Sequence, residues 1–203
     1  RHPRKADKGL LPRLFSQLGA RLPDRYDSLY KKLHRQIEEL LSQRLMLFDN
    51  AISTLDNIGL GLASALEIDI PEQEEIRHRI IPAFRSGAYW QDMLGDVQEL
   101  SQATARLAAG IGTLLEACED IPEKYHEQFI SNLTDLGGLG RRLESLSADL
   151  DQFIAEDDDN CAWMEVREGR IGRGSGIVTR LCTAPLTVDK LLRESVFERS
   201  KSV

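Results

Sequence analysis

A glycine-rich segment near the carboxyl end of the chain is the stretch most suggestive of chemistry. It reads Gly169-Arg-Ile-Gly-Arg-Gly-Ser-Gly176, and glycine-rich loops can wrap backbone N–H groups around a phosphate. A phosphate loop of the GxxxxGK[ST] type also needs a lysine and a helix N-terminus. Here a β-branched run, Ile177–Thr183, follows instead. The sequence therefore favours a flexible hairpin loop over Glu168–Gly176 rather than a nucleotide site.

Basic and aromatic residues beside this loop are candidates for nucleic-acid contact. Arg167, Arg170 and Arg173 carry guanidinium groups, which bind phosphate oxygens and release the counterions of a nucleic acid. Trp163, just upstream, is either a packing residue or a platform for a stacked base. Trp90 is predicted to anchor the core. An ordinary solvated surface is the alternative interpretation of the arginines.

The sequence contains no pattern for covalent or metal chemistry. Glu74 and His78 could place a carboxylate and an imidazole on one helical face, but no HExxH pattern or second nearby histidine supports a metal site. Neither a CxxC nor a GxSxG occurs. We therefore predict no catalytic, cofactor-binding or metal-binding residues within this chain.

Composition and charge limit the possible classes of function. The net charge of −7 argues against a protein coated in basic surface, although Arg1–Lys5 is basic and Glu156–Asp159 is acidic. Three distant cysteines indicate a reducing, cytoplasmic setting. No apolar stretch approaches the roughly 20 residues of a membrane span. The chain, which starts with Arg1 and stops at Val203, is interpreted as a piece of a longer protein.

Leucine periodicity predicts the helices that would position these residues. One short and three long helices are expected, at about 10–22, 23–66, 91–118 and 122–154. Apolar residues recur every three or four positions in each helix, so they form stripes that are predicted to lie in a core. The stripe of the first long helix includes Leu33, Ile37, Leu45, Phe48 and Ile52. Three such stripes predict an antiparallel bundle, with an elongated coiled-coil-like protrusion as the alternative.

Glycine and proline predict where these helices are interrupted. Gly59 and Gly61 are expected to end or bend the first long helix early, and Gly137–Gly140 to interrupt the third. Pro71 and Pro82 bracket a further short helix that is expected within Glu72–Ile81.

The character of the chain changes at Glu156. Cys161–Arg167 and Ile177–Thr183 are predicted strands, and Val188–Phe197 is a predicted helix with Thr187 as its N-cap. Two strands alone are marginally stable, so they must pack on helices or pair with a strand outside the chain; the second option is favoured. The expected fold is mainly α: an antiparallel bundle of three or four long helices with a small C-terminal β-hairpin and a short helix.

The last part of the chain resembles a known helicase family. An acidic run, Trp163-Met-Glu165 on a strand, a glycine-rich loop and a second strand lead into Thr183-Ala-Pro-Leu-Thr-Val188, followed by Leu191, Glu194 and Phe197. This passage resembles the DinG/XPD family of superfamily 2 DNA helicases, where it ends the long insertion between the DEAH box and the Ser-Ala-Thr motif. Gly9–Phe15 and the leucine-striped helices also resemble the helical insertion of bacterial members.

The resemblance implies that residues 1–155 are an arch-like helical insert and that 156–203 form a β-hairpin and helix returning to the first motor domain. The Walker A motif, the DEAH box, the arginine finger and the four cysteines of an iron–sulfur cluster do not occur in this sequence. The chain itself would therefore not hydrolyse ATP. In the parent protein, ATP, Mg²⁺ and, in some members, a 4Fe-4S cluster would bind outside this segment.

The implied role is to shape or gate the single-stranded DNA path of a 5′–3′ helicase. The expected partners are single-stranded DNA and the rest of the motor, without a membrane, and the fragment would be a monomer or a weak dimer. Candidate DNA contacts are then Arg141 and Arg142 together with Arg167, Arg170 and Arg173. The alternative is a self-contained helical bundle for protein–protein interaction or dimerisation.

Overall fold

The computed structural model describes residues 9–70, 75–171 and 174–186, and within them the chain is mainly α-helical with one small antiparallel sheet. This confirms the predicted fold class. The helices are α1 (Leu10–Arg21), α2 (Asp27–Ala65), α3 (Pro82–Arg85), α4 (Ala88–Cys118), α5 (Glu123–His126) and α6 (Ile130–Ile154). The strands are β1 (Ile76–Arg79), β2 (Asn160–Ile171) and β3 (Gly174–Pro185). The predicted helix at Val188–Phe197 lies outside the described residues.

The chain forms two compact units, and each is built from two separate stretches of sequence. The first unit comprises Arg1–Ile52 and Glu99–Asp149, and the second comprises Ser53–Gln98 and Leu150–Val203. Helices α2, α4 and α6 each contribute residues to both units, whereas the sheet belongs to the second unit alone.

Helices α2 and α4 are antiparallel within the first unit. Lys32 Nζ lies 3.0 Å from Asp120 Oδ2, and Leu40 lies against Gly110, so residue numbers rise along one helix as they fall along the other. A Cβ at Gly110 would come within 2.7 Å of Leu40 Cδ2, which means that this glycine allows a close approach of the two helices.

Helices α4 and α6 are also antiparallel, and α6 continues through the glycines that were predicted to interrupt it. Gly140 lies against Ile111, whose Cγ2 would be 3.4 Å from an added Cβ. Farther along, Ser101 Oγ and Ser147 Oγ are 2.9 Å apart, and each hydroxyl also donates to the other residue's carbonyl oxygen. The prediction of an interruption was wrong because packing of α6 on α4 offsets the low helix propensity of glycine.

The core of the first unit contains one face of each of its long helices together with α1. Helix α1 is amphipathic and buries Leu11, Leu14 and Leu18. The buried members of this core are Leu11, Leu14, Leu18, Leu33, Ile37, Leu40, Leu107, Ile111, Leu114, Ala117, Cys118, Ile121, Phe129 and Leu136. The periodicity of the sequence therefore predicted most of this core correctly.

Part of the predicted stripe on α2 lies outside the core. Leu45, Phe48 and Ile52 are 56%, 63% and 40% exposed, so their assignment to a core was wrong. The reason is a rotation of the buried face, because Leu40 and Leu47, seven residues apart, contact the core at this level instead.

The sheet of the second unit has the order β1-β2-β3, and both pairings are antiparallel. Strands β2 and β3 pair from Asn160 opposite Pro185 to Ile171 opposite Gly174. The predicted loop over Glu168–Gly176 is therefore mostly strand, and only residues 172 and 173 separate the two strands in sequence. Within these strands Gly169 pairs directly with Gly176, so inter-strand pairing holds both glycines in extended conformation.

Strand β1 corrects two expectations. The sequence predicted a helix within Glu72–Ile81, but Ile76–Arg79 is a strand that pairs with Trp163–Val166 of β2. The hairpin therefore finds a third strand within this chain, whereas a partner outside the chain was expected. Inter-strand pairing decides the conformation here, since a four-residue segment has little helical stability of its own.

The inner face of the sheet packs on α2 at Gly59, and a second glycine of α2, Gly61, packs on Tyr89 of α4. Gly59 lies so close to β3 that an added Cβ would be 2.4 Å from Thr179 Oγ1 and 2.8 Å from Ile177 Cγ2. Gly61 lies against the ring of Tyr89, whose hydroxyl donates to the carbonyl oxygen of Ile58 at 2.7 Å. Helix α2 thus continues through both glycines to Ala65, although the sequence predicted an early end or bend.

Arg85 caps the end of α6 within the second unit. Its Nη1 donates to the carbonyl oxygen of Ile154 at 3.0 Å, and its Nη2 donates to that of Ala155 at 2.8 Å. The guanidinium provides hydrogen-bond donors for these carbonyl oxygens, and its positive charge interacts favourably with the negative end of the helix dipole. Arg85 also lies over Trp90, which is 3% exposed and therefore is the packing anchor that the sequence predicted.

His78 of β1 gives the stability of the second unit a pH dependence. Its ring packs on Phe84 with centroids 4.4 Å apart, and burial lowers the pKa of the imidazole. An unfolded histidine, with a pKa of about 6.5, takes up a proton more readily than the folded one. Stability is therefore retained above that pH and is lost as the pH falls from there through the lower pKa of folded His78. We expect the free energy of unfolding to fall between pH 7.5 and 5.5 in urea titrations. A His78→Gln variant should show a smaller decrease, and an equal decrease would contradict this assignment.

No helix in the described ranges is long and apolar enough to cross a membrane.

Candidate nucleic-acid interface

The outer face of the sheet, on the side away from α2, collects arginines from all three strands. Directly opposed residues of neighbouring strands project to the same side, so the registers place Arg77, Glu165 and Arg180 in one row. A second row contains Arg79, Trp163 and Cys182, and a third pairs Arg167 with Val178. We call this set of residues the outer face; it belongs entirely to the second unit.

Glu165 is the centre of a hydrogen-bonded network on the outer face. Its side chain is only 10% exposed, and its Oε1 accepts from Trp163 Nε1 at 3.0 Å. Arg77 Nε lies 3.3 Å from the same oxygen, and Arg180 Nη1 lies 3.4 Å from Oε2. The indole hydrogen bond, with help from the two arginines, lowers the pKa of Glu165, so the carboxylate stays ionised at neutral pH.

Glu75 adds a second carboxylate to the same arginines. Its Oε2 accepts from Arg77 Nη2 at 3.1 Å, and its Oε1 lies 3.7 Å from Arg180 Nη1. The rows of the outer face therefore contain four arginines (Arg77, Arg79, Arg167 and Arg180) and, with Glu75, two glutamates. The face is locally basic on a chain whose net charge is −7.

The guanidinium groups of this face are accessible, while the aromatic ring is held in place. The side chains of Arg77 and Arg180 are 69% and 55% exposed. Arg79 is exposed, and Trp163 is half-buried with its N–H fixed by Glu165. Exposed cations near a fixed indole can bind a phosphate backbone while the indole stacks on one of the bases.

The structure places the five arginines predicted from the sequence at different locations. Arg167 lies on the outer face, whereas Arg141 and Arg142 are exposed on α6 in the first unit. Arg142 Nε donates to the carbonyl oxygen of Gly138 at 3.3 Å, within its own helix. Arg170 belongs to β2, and Arg173 lies outside the described residues.

Three arginines of the outer face were not identified as candidate contacts from the sequence. Arg77 and Arg79 belong to the alternating pattern Ile76-Arg-His-Arg-Ile80, which was interpreted as part of a helix because of the flanking prolines. Arg180 lies in the β-branched run of β3, where a single charged residue indicates only an exposed strand position. A period of two in the first pattern was the available signal.

The geometry provides no support for the weak metal hypothesis on Glu74 and His78. Within the described residues, no group of three or more histidines, cysteines or carboxylates is arranged to hold a metal ion. His78 packs on Phe84 instead, and Glu74 lies outside the description. Cys118, which belongs to the core of the first unit, is unsuited to nucleophilic chemistry because burial raises the pKa of its thiol to about 11.

Comparisons with protein-family models, with curated proteins and with solved structures found no match to this chain. The residues of the outer face are therefore the basis for a functional assignment.

Proposed function

We propose that the outer face binds single-stranded DNA without sequence preference, and that the chain is the arch-like accessory insert of a larger 5′–3′ DNA helicase of the DinG/XPD type. The observation that carries the first part is that four arginines share the outer face with Trp163. The resemblance of the C-terminal passage, from Trp163-Met-Glu165 to Phe197, motivates the second part.

Single strands fit this surface better than duplexes. The indole of Trp163 needs an unstacked base as its partner, whereas the bases of a duplex are already stacked on one another. The arginines bind phosphates regardless of sequence, so affinity will depend strongly on salt. Such a surface binds a single strand without distinguishing its base sequence.

In this proposal the parent protein supplies the chemistry, in the cytoplasm. ATP and Mg²⁺ bind the motor outside this segment, as does an iron–sulfur cluster where the parent has one. The chain contributes a wall of the single-strand path and does not hydrolyse ATP by itself. Arg141, Arg142, Arg170 and Arg173 remain candidate contacts to the strand.

The test is the affinity of the chain for a short fluorescent oligo(dT), measured by anisotropy across a salt series. Trp163→Ala should weaken binding about tenfold, since stacking one base contributes about 1–3 kcal/mol, and Trp163→Phe should retain most of the affinity. Arg79→Ala should reduce the slope of log K against log salt by about 0.7.

Arg106→Ala, an exposed arginine on α4 of the first unit, is the matched control for removal of one positive charge. Equal losses in the Arg79 and Arg106 variants would mean that only net charge matters. No binding by the wild type at low salt, or unchanged binding by Trp163→Ala, would refute the proposed surface.

The second candidate function is a helical module for protein–protein interaction or dimerisation. The exposure of Leu45, Phe48 and Ile52 on α2 favours it, because clustered apolar side chains on a surface are typical of interaction sites. A stable dimer in sedimentation equilibrium, together with no oligo(dT) binding at any salt concentration, would support this candidate over the first.

A further inference from the structure

The carboxylate of Glu75 bridges two arginines that come from the two edge strands of the sheet. Arg77, on β1, directs both Nε and Nη2 at Glu75 Oε2, at 3.2 and 3.1 Å. Arg180, on β3, approaches the other oxygen at 3.7 Å. The two oxygens of one carboxylate thus contact two guanidinium groups that belong to different strands.

Guanidinium groups bind phosphate oxygens as they bind carboxylate oxygens, because both ligands present anionic acceptor oxygens to the same N–H donors. A carboxylate between two arginines therefore marks a place where two phosphate oxygens fit. Glu165 also contacts both guanidinium groups, through the same Arg77 Nε and Arg180 Nη1 atoms that face Glu75, and is itself fixed by Trp163. The contacts of Arg77 and Arg180 with Glu165 do not involve Glu75, so they would remain if Glu75 moved away.

The two glutamates differ in how firmly they are held. Glu165 is 10% exposed and accepts from the indole as well as from both arginines, whereas Glu75 is 20% exposed and contacts only those arginines among the ion pairs of the described residues. The arginines that hold Glu75 are more than half exposed, and ion pairs of such groups are weak. Glu75 is therefore the carboxylate that a ligand can displace.

We propose that Arg77 and Arg180 form a phosphate-binding subsite, which Glu75 fills in the free protein and leaves when a phosphodiester binds. The subsite rests on the proposed function in that a nucleic-acid strand is its intended ligand. The subsite should also be open to a phosphate group when the negative charge of Glu75 is removed. The outer face then binds a strand at two points, with a base on Trp163 and a phosphate between Arg77 and Arg180.

The experiment compares Glu75→Gln with Glu168→Gln, which removes the same charge from an exposed position of β2. Two probes are used: the affinity for oligo(dT), and the shift in melting temperature caused by inorganic pyrophosphate. Glu75→Gln should bind oligo(dT) about two- to fivefold tighter than Glu168→Gln, as expected for release of an exposed ion pair. It should also gain the larger stabilisation by pyrophosphate, and adding Arg180→Ala should cancel both gains.

The outcomes separate the subsite from the proposed function. If oligo(dT) binds neither protein but pyrophosphate stabilises Glu75→Gln selectively, the subsite is supported and the single-strand function fails. If oligo(dT) binds the wild type but Glu75→Gln matches Glu168→Gln with both probes, the function stands and the subsite is overturned. Equal responses to pyrophosphate with no DNA binding would overturn both.

Discussion

Replacing Gly59 by alanine should destabilise the second unit by about 1–3 kcal/mol, the usual cost of forcing extra atoms into a packed contact. A methyl group at this position would lie 2.4 Å from Thr179 Oγ1, 2.8 Å from Ile177 Cγ2 and 3.3 Å from Val166 Cγ1. These atoms belong to two strands, and the branched side chains have few alternative rotamers. The helix and the sheet must therefore move apart, which reduces the contact that covers the inner face.

Gly95, on α4 in the same unit, is the matched control because nothing lies within 4 Å of an added Cβ there. Gly95→Ala should stabilise the unit by about 0.5–1 kcal/mol through helix propensity alone. Urea titrations followed by tryptophan fluorescence measure both effects selectively, since Trp90 and Trp163 both belong to the second unit. A Gly59→Ala protein as stable as Gly95→Ala would show that the sheet does not pack closely on α2.

Truncating Leu14 should have an even larger effect, on the first unit. This side chain is fully buried, and deletion of buried leucine side chains costs about 2.7–5.0 kcal/mol because a cavity remains. Helix α1 is short and depends on Leu11, Leu14 and Leu18 for its position, so Leu14→Ala should loosen it from the core. Far-UV circular dichroism during urea unfolding would report the loss.

Leu45→Ala is the corresponding control, since it makes the same chemical change at a site that is 56% exposed. Its effect on the free energy of unfolding should stay within about 0.5 kcal/mol. A loss comparable to that of Leu14→Ala would mean that Leu45 is covered in solution, and the interaction-module candidate would gain support.

Helix positions could be predicted from the sequence because the signal is local. Leu33, Ile37 and Leu62 recur at helical spacing, and all three are buried. The exposure of Phe48 could not be predicted in the same way, since it depends on which neighbouring helix covers that face. Periodicity reports that a residue is on the apolar side of a helix, but a partner must be present to bury it.

The candidate site depended on non-local pairing and was predicted only in part. Arg167 and Trp163 were identified from residue type and from their position beside a hairpin. Arg77 and Arg180 become neighbours of Glu165 only through the pairing of β1 and β3 with β2. The alternation in Ile76–Ile80 could have indicated a strand, but its pairing with β2 depends on residues more than 80 positions away and has no local signal.

The interleaving of the two units along the chain has a consequence for synthesis. When a nascent chain has left the ribosome as far as Gln98, it contains one stretch of each unit and completes neither. The buried leucines of α1 and of the first part of α2 then still lack the residues of α4 and α6 that cover them, which begin at Glu99. The first unit can close only after Asp149 has emerged, and the sheet only after β3. During that interval the chain exposes apolar surface of the kind that chaperones bind.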